Sequence, residues 1–98
     1  MLDEKKMIVN TLKIRKEKFG WIACDINNCR VFEISDIVAY VINKLRFQSA
    51  LNDEFIDKLG QQVSLKFNIN KQISKQKIHN VLYELKQKKW IKNEIYSC

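Results

Sequence analysis

The side chains most able to do chemistry are concentrated near the carboxyl end of the chain, in residues 74–92. At 100° per residue this stretch predicts an amphipathic helix with one apolar face and one polar face. The predicted apolar face comprises Ile78, Val81, Leu82 and Leu85. The predicted polar face comprises Gln76, Asn80, Tyr83 and Gln87. Amide and phenol groups flanked by lysines suit hydrogen bonding to base edges and neutralisation of phosphates, the two tasks of a groove-reading helix.

The predicted nucleic-acid contacts are of two kinds. Gln76 and Asn80 are placed to pair with adenine edges, whereas the lysines would contact phosphates with little sequence preference. The full predicted set is Lys71, Lys75, Gln76, Lys77, His79, Asn80, Tyr83, Lys86, Gln87, Lys89 and Lys92. A solvated helix face that carries Lys and Gln only for solubility would show the same pattern, and this alternative stays open.

The charge of the chain is strongly positive and unevenly distributed. The formal net charge is +7, with +3 in residues 1–20, −1 in residues 21–67 and +5 in residues 68–98. If both ends lie on one surface, their field attracts a polyanion and makes binding steeply dependent on salt. No apolar run approaches a membrane span, and residues 1–18 lack a secretory signal pattern. We therefore expect a cytoplasmic protein that does not bind membranes.

The sequence offers little for catalysis or for a cofactor. The single histidine, His79, has no carboxylate three or four residues away on its predicted helix, so a positioned acid–base pair is missing. Gly20 and Gly60 are too far apart to form a glycine-rich phosphate loop. We therefore expect a protein that is not an enzyme and that holds no cofactor, metal or small-molecule ligand.

The three cysteines, Cys24, Cys29 and Cys98, are expected to be reduced thiols, because the chain shows no secretory pattern. Two alternatives stay open. Cys24 could face Cys29 across a hairpin, and Cys98 could form an intermolecular disulfide in a dimer. A zinc site built from these thiols and His79 is less favoured, because the spacing from Cys24 to Cys29 is looser than in structural zinc sites.

Local patterns predict the elements that must position these groups within a single domain, residues 1–98. Residues 2–18 are predicted as a helix that ends at Gly20, and residues 21–34 as a hairpin with an Asp/Asn turn. The other predicted elements are a buried helix from Ser35 or Asp36 to Phe47, a helix over 53–67 capped by Asn52 and interrupted or bent near Gly60, the basic helix capped by Ser74, and a closing strand containing Trp90, Ile91, Ile95 and Tyr96.

This order of elements resembles a family. The stretch KFNINKQISKQKIHNVLYELKQKKWIK resembles the recognition segment of the winged helix-turn-helix DNA-binding superfamily, and the resemblance covers residues 35–96. Within it, KIHNVLYEL is similar to the third helix of Z-form nucleic-acid-binding domains. Lys75, His79 and Tyr83 lie at the spacing of the Lys, Asn and Tyr with which that narrower family contacts DNA or RNA, with His in place of Asn. The chain has no proline, whereas that family's wing carries a proline pair.

The resemblance implies a fold that is mainly α with a small β element (α+β), a winged helix-turn-helix with an extra N-terminal helix. It implies binding of double-stranded DNA with the recognition helix, residues 74–89, in the major groove, and a role in transcription regulation. A homodimer is expected, with the N-terminal helix over residues 1–20 as the candidate interface. The stripe of that helix, Ile8, Leu12 and Phe19, could instead complete the core of the monomer.

The alternative class is a winged-helix protein–protein interaction adaptor. In that case Trp21, Phe32, Tyr83 and Trp90 would form an exposed aromatic surface for a partner, and the lysines would only keep the domain soluble. The two classes differ in the effect of charge. Binding to DNA would weaken with salt and with loss of lysines, whereas a protein interface would weaken on truncation of the aromatic side chains.

Overall fold

The computed structural model describes residues 7–9, 11–48 and 51–91. They form a small α+β domain with a three-stranded antiparallel sheet followed by three helices. The elements are β1 (Leu12–Glu17), β2 (Gly20–Asp25), β3 (Arg30–Ile34), α1 (Asp36–Leu45), α2 (Asp53–Phe67) and α3 (Lys71–Gln87). Among these residues, no helix has both the length and the apolar character needed to cross a bilayer.

The sheet is a meander with strand order β1–β2–β3. A two-residue turn joins β1 to β2, and Gly20, with φ of 145°, follows it. The predicted hairpin over residues 21–34 is confirmed, since β2 and β3 pair antiparallel around residues 26–29. Cys24 pairs with Val31 in this register while Cys29 lies in the turn, and both thiols are free. The Cys24–Cys29 pairing is therefore wrong, and Cys98 lies outside the described residues.

The predicted N-terminal helix is wrong for the part of it that forms β1. Leu12 is buried and Ile14 half-buried, whereas Lys13 and Arg15 between and after them are exposed, so the burial alternates with the period of a strand. Pairing with the apolar strand β2 outweighs the helix-like spacing of Ile8 and Leu12, which lie in the core of the monomer. A helical dimer interface over residues 1–20 is accordingly not formed by β1, and Phe19 is exposed in the turn.

The first two helices begin where the sequence predicts. The Ser35 hydroxyl accepts a hydrogen bond from the Val38 N–H at 3.2 Å, and the Asn52 side chain accepts one from the Phe55 N–H at 2.8 Å. The expected interruption of α2 near Gly60 is wrong, because the helix is continuous from residue 53 to 67. Packing against α3 holds this glycine inside a regular helix.

Helix α3 begins earlier than predicted. Its cap is Asn70, which accepts a hydrogen bond from the Gln72 N–H, and the predicted cap Ser74 is a buried residue inside the helix. The Ser74 hydroxyl donates to the Gly60 carbonyl at 2.7 Å and thereby ties α3 to α2. A buried hydroxyl that satisfies a neighbouring helix is unavailable as a cap, which explains the wrong boundary.

The amino-terminal segment closes the core against the end of α3. Ile8 forms an isolated antiparallel bridge with Ile91, and the Val9 N–H donates to the Trp90 carbonyl at 3.0 Å. Within the described residues this bridge is all that is seen of the predicted closing strand, since residues 92–98 lie outside them. The buried core is formed mainly by Met7, Ile8, Leu12, Ala23, Val41, Ile42, Leu45, Leu59, Val63, Ile78, Val81, Leu82, Leu85, Trp90 and Ile91.

Gly60→Ala is expected to stabilise the domain. A Cβ at this position would meet the Ile78 Cδ1 atom at 3.9 Å, an ordinary contact, while alanine favours the helix by about 0.5–1 kcal/mol. Gly20→Ala is the matched control and should destabilise by about 1 kcal/mol or more, because φ of 145° strains any residue with a Cβ. Urea denaturation measures both, and a less stable Gly60→Ala variant would contradict the packing described here.

Candidate functional site

The exposed face of α3 carries nine of the predicted nucleic-acid contacts, and Lys89 follows the end of the helix. All ten of the predicted residues that the structure describes are exposed, and the eleventh, Lys92, lies outside the described residues. The exposed residues are Lys71, Lys75, Gln76, Lys77, His79, Asn80, Tyr83, Lys86, Gln87 and Lys89. The predicted apolar stripe of Ile78, Val81, Leu82 and Leu85 is buried, so the amphipathic prediction is confirmed.

Acidic neighbours offset part of the charge on this face. The Lys75 ammonium lies 3.2 Å from the Asp57 carboxylate of α2. Near the other end of the helix, the Lys88 ammonium lies 3.8 Å from Glu84. The Lys75–Asp57 pair is exposed on both sides and is therefore weak, whereas Lys88 is half-buried.

The outer edge of β3 is a second candidate surface. Strand β2 lies on one side of β3, and no strand pairs with the other side within residues 7–9, 11–48 and 51–91. The Ile26 N–H bonds to Thr11 on the β1 side. The backbone N–H and C=O groups of successive residues in an antiparallel strand point to opposite sides. Those of Ile26 point toward β1, so those of Ala23, three residues earlier, point toward β3 and its partner Phe32. The N–H and C=O groups of Val31 and Glu33 consequently point away from the sheet, at its free edge.

A groove of about 340 Å³ runs beside this edge. Strand β3, the start of α1 and the last turns of α3 form its walls. Its lining residues are Phe32, Glu33, Ile34, Ser35, Val38, Glu84, Leu85, Lys88 and Trp90. Aromatic and aliphatic side chains with a few charged groups at the rim are typical of a binding groove.

Trp90 holds the end of α3 against the sheet. Its indole N–H donates to the Asp25 carboxylate at 2.9 Å, and its ring meets Phe32 edge-to-face at a centroid distance of 5.4 Å. The side chain is 2% exposed, so the expectation of an exposed Trp90 is wrong. The helix turns sharply before it, since Lys89 has φ of 62° and the Trp90 N–H bonds to the Leu85 carbonyl. This Schellman ending directs the indole inward rather than along the helix surface.

Charged groups around the groove have defined partners. The Lys88 ammonium lies 5.2 Å from the Phe32 ring centroid and 5.8 Å from that of Trp90. Hydrogen bonds from the Trp90 indole and then from the Asn28 amide hold the pKa of the buried Asp25 carboxyl below its usual range. Asp25 is therefore a charged anchor at neutral pH.

The remaining predicted aromatic surface is divided. Tyr83 is 66% exposed on α3, whereas Phe32 and Trp21 are half-buried on the sheet. Sequence reasoning missed Val31 and Glu33, because an edge strand is recognised only when the strand order is known. The described residues also contain no group of three or more side chains placed to hold a metal ion.

The comparisons with known proteins bear on the fold. No protein-family model matches the chain, and no curated protein matches it. Among solved structures, the chain is similar to one described as "Lasso peptide synthetase B1 complexed with the leader peptide". The two share 11% identity with a TM-score of 0.65 over 86% of this chain and 92% of that one. At this identity the similarity is one of fold, in keeping with a small α+β domain.

The Trp90–Asp25 bond should make stability depend on pH. The folded pKa of Asp25 is lowered, so its stabilisation is complete above the unfolded pKa and is lost as pH falls through the folded one. Trp90→Phe removes the indole donor. The loss of unfolding free energy relative to the wild type should therefore be largest at neutral pH and should become smaller in acid. Trp21→Phe is the control, with a deficit expected to be constant. Denaturant melts over a pH series measure both, and a deficit of Trp90→Phe that does not change with pH would contradict this.

Proposed function

We propose that this domain binds an extended peptide, which adds as a fourth strand to the free edge of β3. The observation that carries the proposal is the position of the groove directly beside that edge. An added strand would use the outward backbone groups of Val31 and Glu33 for hydrogen bonds. Because side chains alternate along a strand, every second side chain of the peptide would enter the groove.

The chemistry of the groove favours peptides with apolar side chains at those alternate positions. Phe32, Ile34 and Val38 are half-buried and present apolar surface, while Glu84 and Lys88 stand at the rim. Main-chain hydrogen bonds would supply affinity for any extended segment, and the groove would select among side chains. Each entering apolar side chain loses contact with water, which favours binding by roughly 25 cal/mol per Å².

The structural similarity supports the same proposal. The similar protein is a lasso peptide synthetase B1 that was solved with a leader peptide. Because a protein of similar fold was solved with a peptide, the fold is compatible with peptide binding by the present chain. We infer that it is a binding domain rather than an enzyme, an adaptor that captures a segment of a partner protein.

Peptide binding can be tested with a phage-displayed library of random peptides and immobilised domain. Peptides that are enriched are then measured by fluorescence anisotropy. Val31→Pro should weaken binding roughly fivefold, since it removes one outward donor worth about 1 kcal/mol without breaking a bond to β2. Val38→Trp, which fills the groove, should weaken it further.

The control for Val31→Pro is Val31→Ala, which shortens the same exposed side chain but keeps the N–H. It should bind like the wild type. Thermal melts of all three variants establish that they are folded. The proposal fails if no peptide is enriched over a blank surface, or if Val31→Pro and Val38→Trp bind as tightly as the wild type.

A second candidate function is binding of double-stranded DNA by α3, in a winged-helix-like arrangement. The observation that favours it is the exposure of all ten described predicted contacts, nine of them on α3 and Lys89 just after its end. The three-residue connection between α2 and α3 and their close packing are compatible with a helix-turn-helix. In this proposal α3 enters the major groove and a homodimer reads two half-sites.

The DNA proposal predicts binding of labelled random duplex DNA that weakens linearly in log–log plots against salt concentration. A variant with Lys75, Gln76, Asn80 and Tyr83 replaced by alanine should lose that binding, because it lacks both the phosphate and the base-edge contacts. Val38→Trp is the control and should bind duplex DNA normally. Fluorescence anisotropy at several salt concentrations makes the measurement, and absence of binding at low salt would eliminate this function.

A further inference from the structure

A second groove, separate from the one beside β3, combines aromatic rings with lysines. It has a volume of about 460 Å³ and lies between the β1–β2 part of the sheet, α1 and the end of α2. Three half-buried rings line it, those of Trp21, Tyr40 and Phe67. The volume is within the range of small-molecule sites.

Ammonium groups lie against the ring faces in this groove. The Lys16 ammonium is 5.5 Å from the Trp21 ring centroid, and the Lys66 ammonium is 5.7 Å from that of Tyr40. Lys44 lies 5.3 Å from the same Tyr40 ring. The edge-to-face contact between Tyr40 and Phe67, at 5.8 Å and 87°, holds the tyrosine ring in place. A lysine side chain is flexible, so its ammonium can leave the face of a fixed ring when a planar ligand stacks there.

We propose that this groove binds a nucleotide unit, either free or within a single-stranded nucleic acid. The nucleobase stacks on the ring of Trp21 or Tyr40, because each base has a π-face that stacks on aromatic side chains. The displaced ammonium groups of Lys16 and Lys66 then lie beside the base, where they neutralise its phosphate. The Asn43 side chain, in the same lining, offers an amide for the base edge.

The Asp36 carboxylate within the groove allows a test in which a substitution should increase affinity. Asp36 lies in the lining, 4.0 Å from the Lys16 ammonium, and its side chain is 63% exposed. It competes with a phosphate for Lys16 and repels the anion. Removing its charge should therefore tighten binding, whereas a merely structural role for Asp36 predicts no such gain.

The experiment uses two probes and the whole chain. Anisotropy of labelled oligothymidylate tests the single strand, and quenching of tryptophan fluorescence by thymidine monophosphate tests the free nucleotide. Binding of both, or of one alone, supports the site and distinguishes the two sources. Lys16→Gln with Lys66→Gln should weaken binding at least fivefold and, for the oligomer, reduce its salt slope by about 0.7 per lysine. Asp36→Asn should strengthen it.

The controls separate this site from the face of α3. Lys77→Gln and Tyr83→Ala change an exposed lysine and an exposed aromatic ring on α3, outside this groove, so they should leave the quenching by free thymidine monophosphate unchanged. Trp21→Leu should weaken binding by removing a stacking surface, and thermal melts verify that each variant is folded. The proposal is overturned if neither probe binds, if the double lysine variant binds like the wild type, or if the α3 variants cause the loss instead.

Discussion

The hydrogen bond from the Trp90 indole to the buried Asp25 carboxylate is the contact on which the arrangement of the domain depends. It joins residues 65 positions apart and fixes the end of α3 against the turn end of the β2–β3 hairpin. Removal of the indole donor would leave the buried Asp25 carboxylate without its main hydrogen-bond partner. Trp90 also holds the amino-terminal segment, because its backbone carbonyl accepts a hydrogen bond from the Val9 N–H.

That anchor creates the groove beside β3. Helix α3 is held close enough for Leu85 and Trp90 to form one side of the groove, yet the outer edge of β3 stays uncovered within the described residues. An edge strand with unpaired backbone groups promotes aggregation by pairing with other chains, unless it is short, charged or used for binding. Here the edge is short and carries Arg30 and Glu33, features that restrain pairing between copies.

One helix therefore serves two surfaces. The buried stripe of α3 and its last residues shape the groove beside β3, while its opposite face presents lysines and polar side chains to solvent. The aromatic groove near Trp21 and Tyr40 adds a third surface with lysines over its rings. The net charge of +7 is thus distributed over several surfaces, and charge alone does not locate the function.

Much of the fold was predictable from local pattern. The β2–β3 hairpin, the caps Ser35 and Asn52 and the buried stripe of α3 all follow from interactions between residues close in sequence. The exposure of the predicted α3 contacts follows from the same helical period, although their role in binding DNA stays a prediction. Local pattern failed for β1. The spacing of Ile8 and Leu12 suits a helix, but the pairing of β1 with β2 outweighs this local preference.

Helical period and turn chemistry depend on neighbouring residues, so the sequence alone predicted the β2–β3 hairpin, the starts of α1 and α2 and the polar face of α3. The strand order, the free edge of β3, the burial of Trp90 and the two grooves were decided only by packing between distant segments. Ser74 shows the difference, because its hydroxyl suits a helix cap locally but bonds to the Gly60 carbonyl across the helix interface. A contact between residues far apart in sequence leaves no periodic signal in either segment, and the sites described here are built from such contacts.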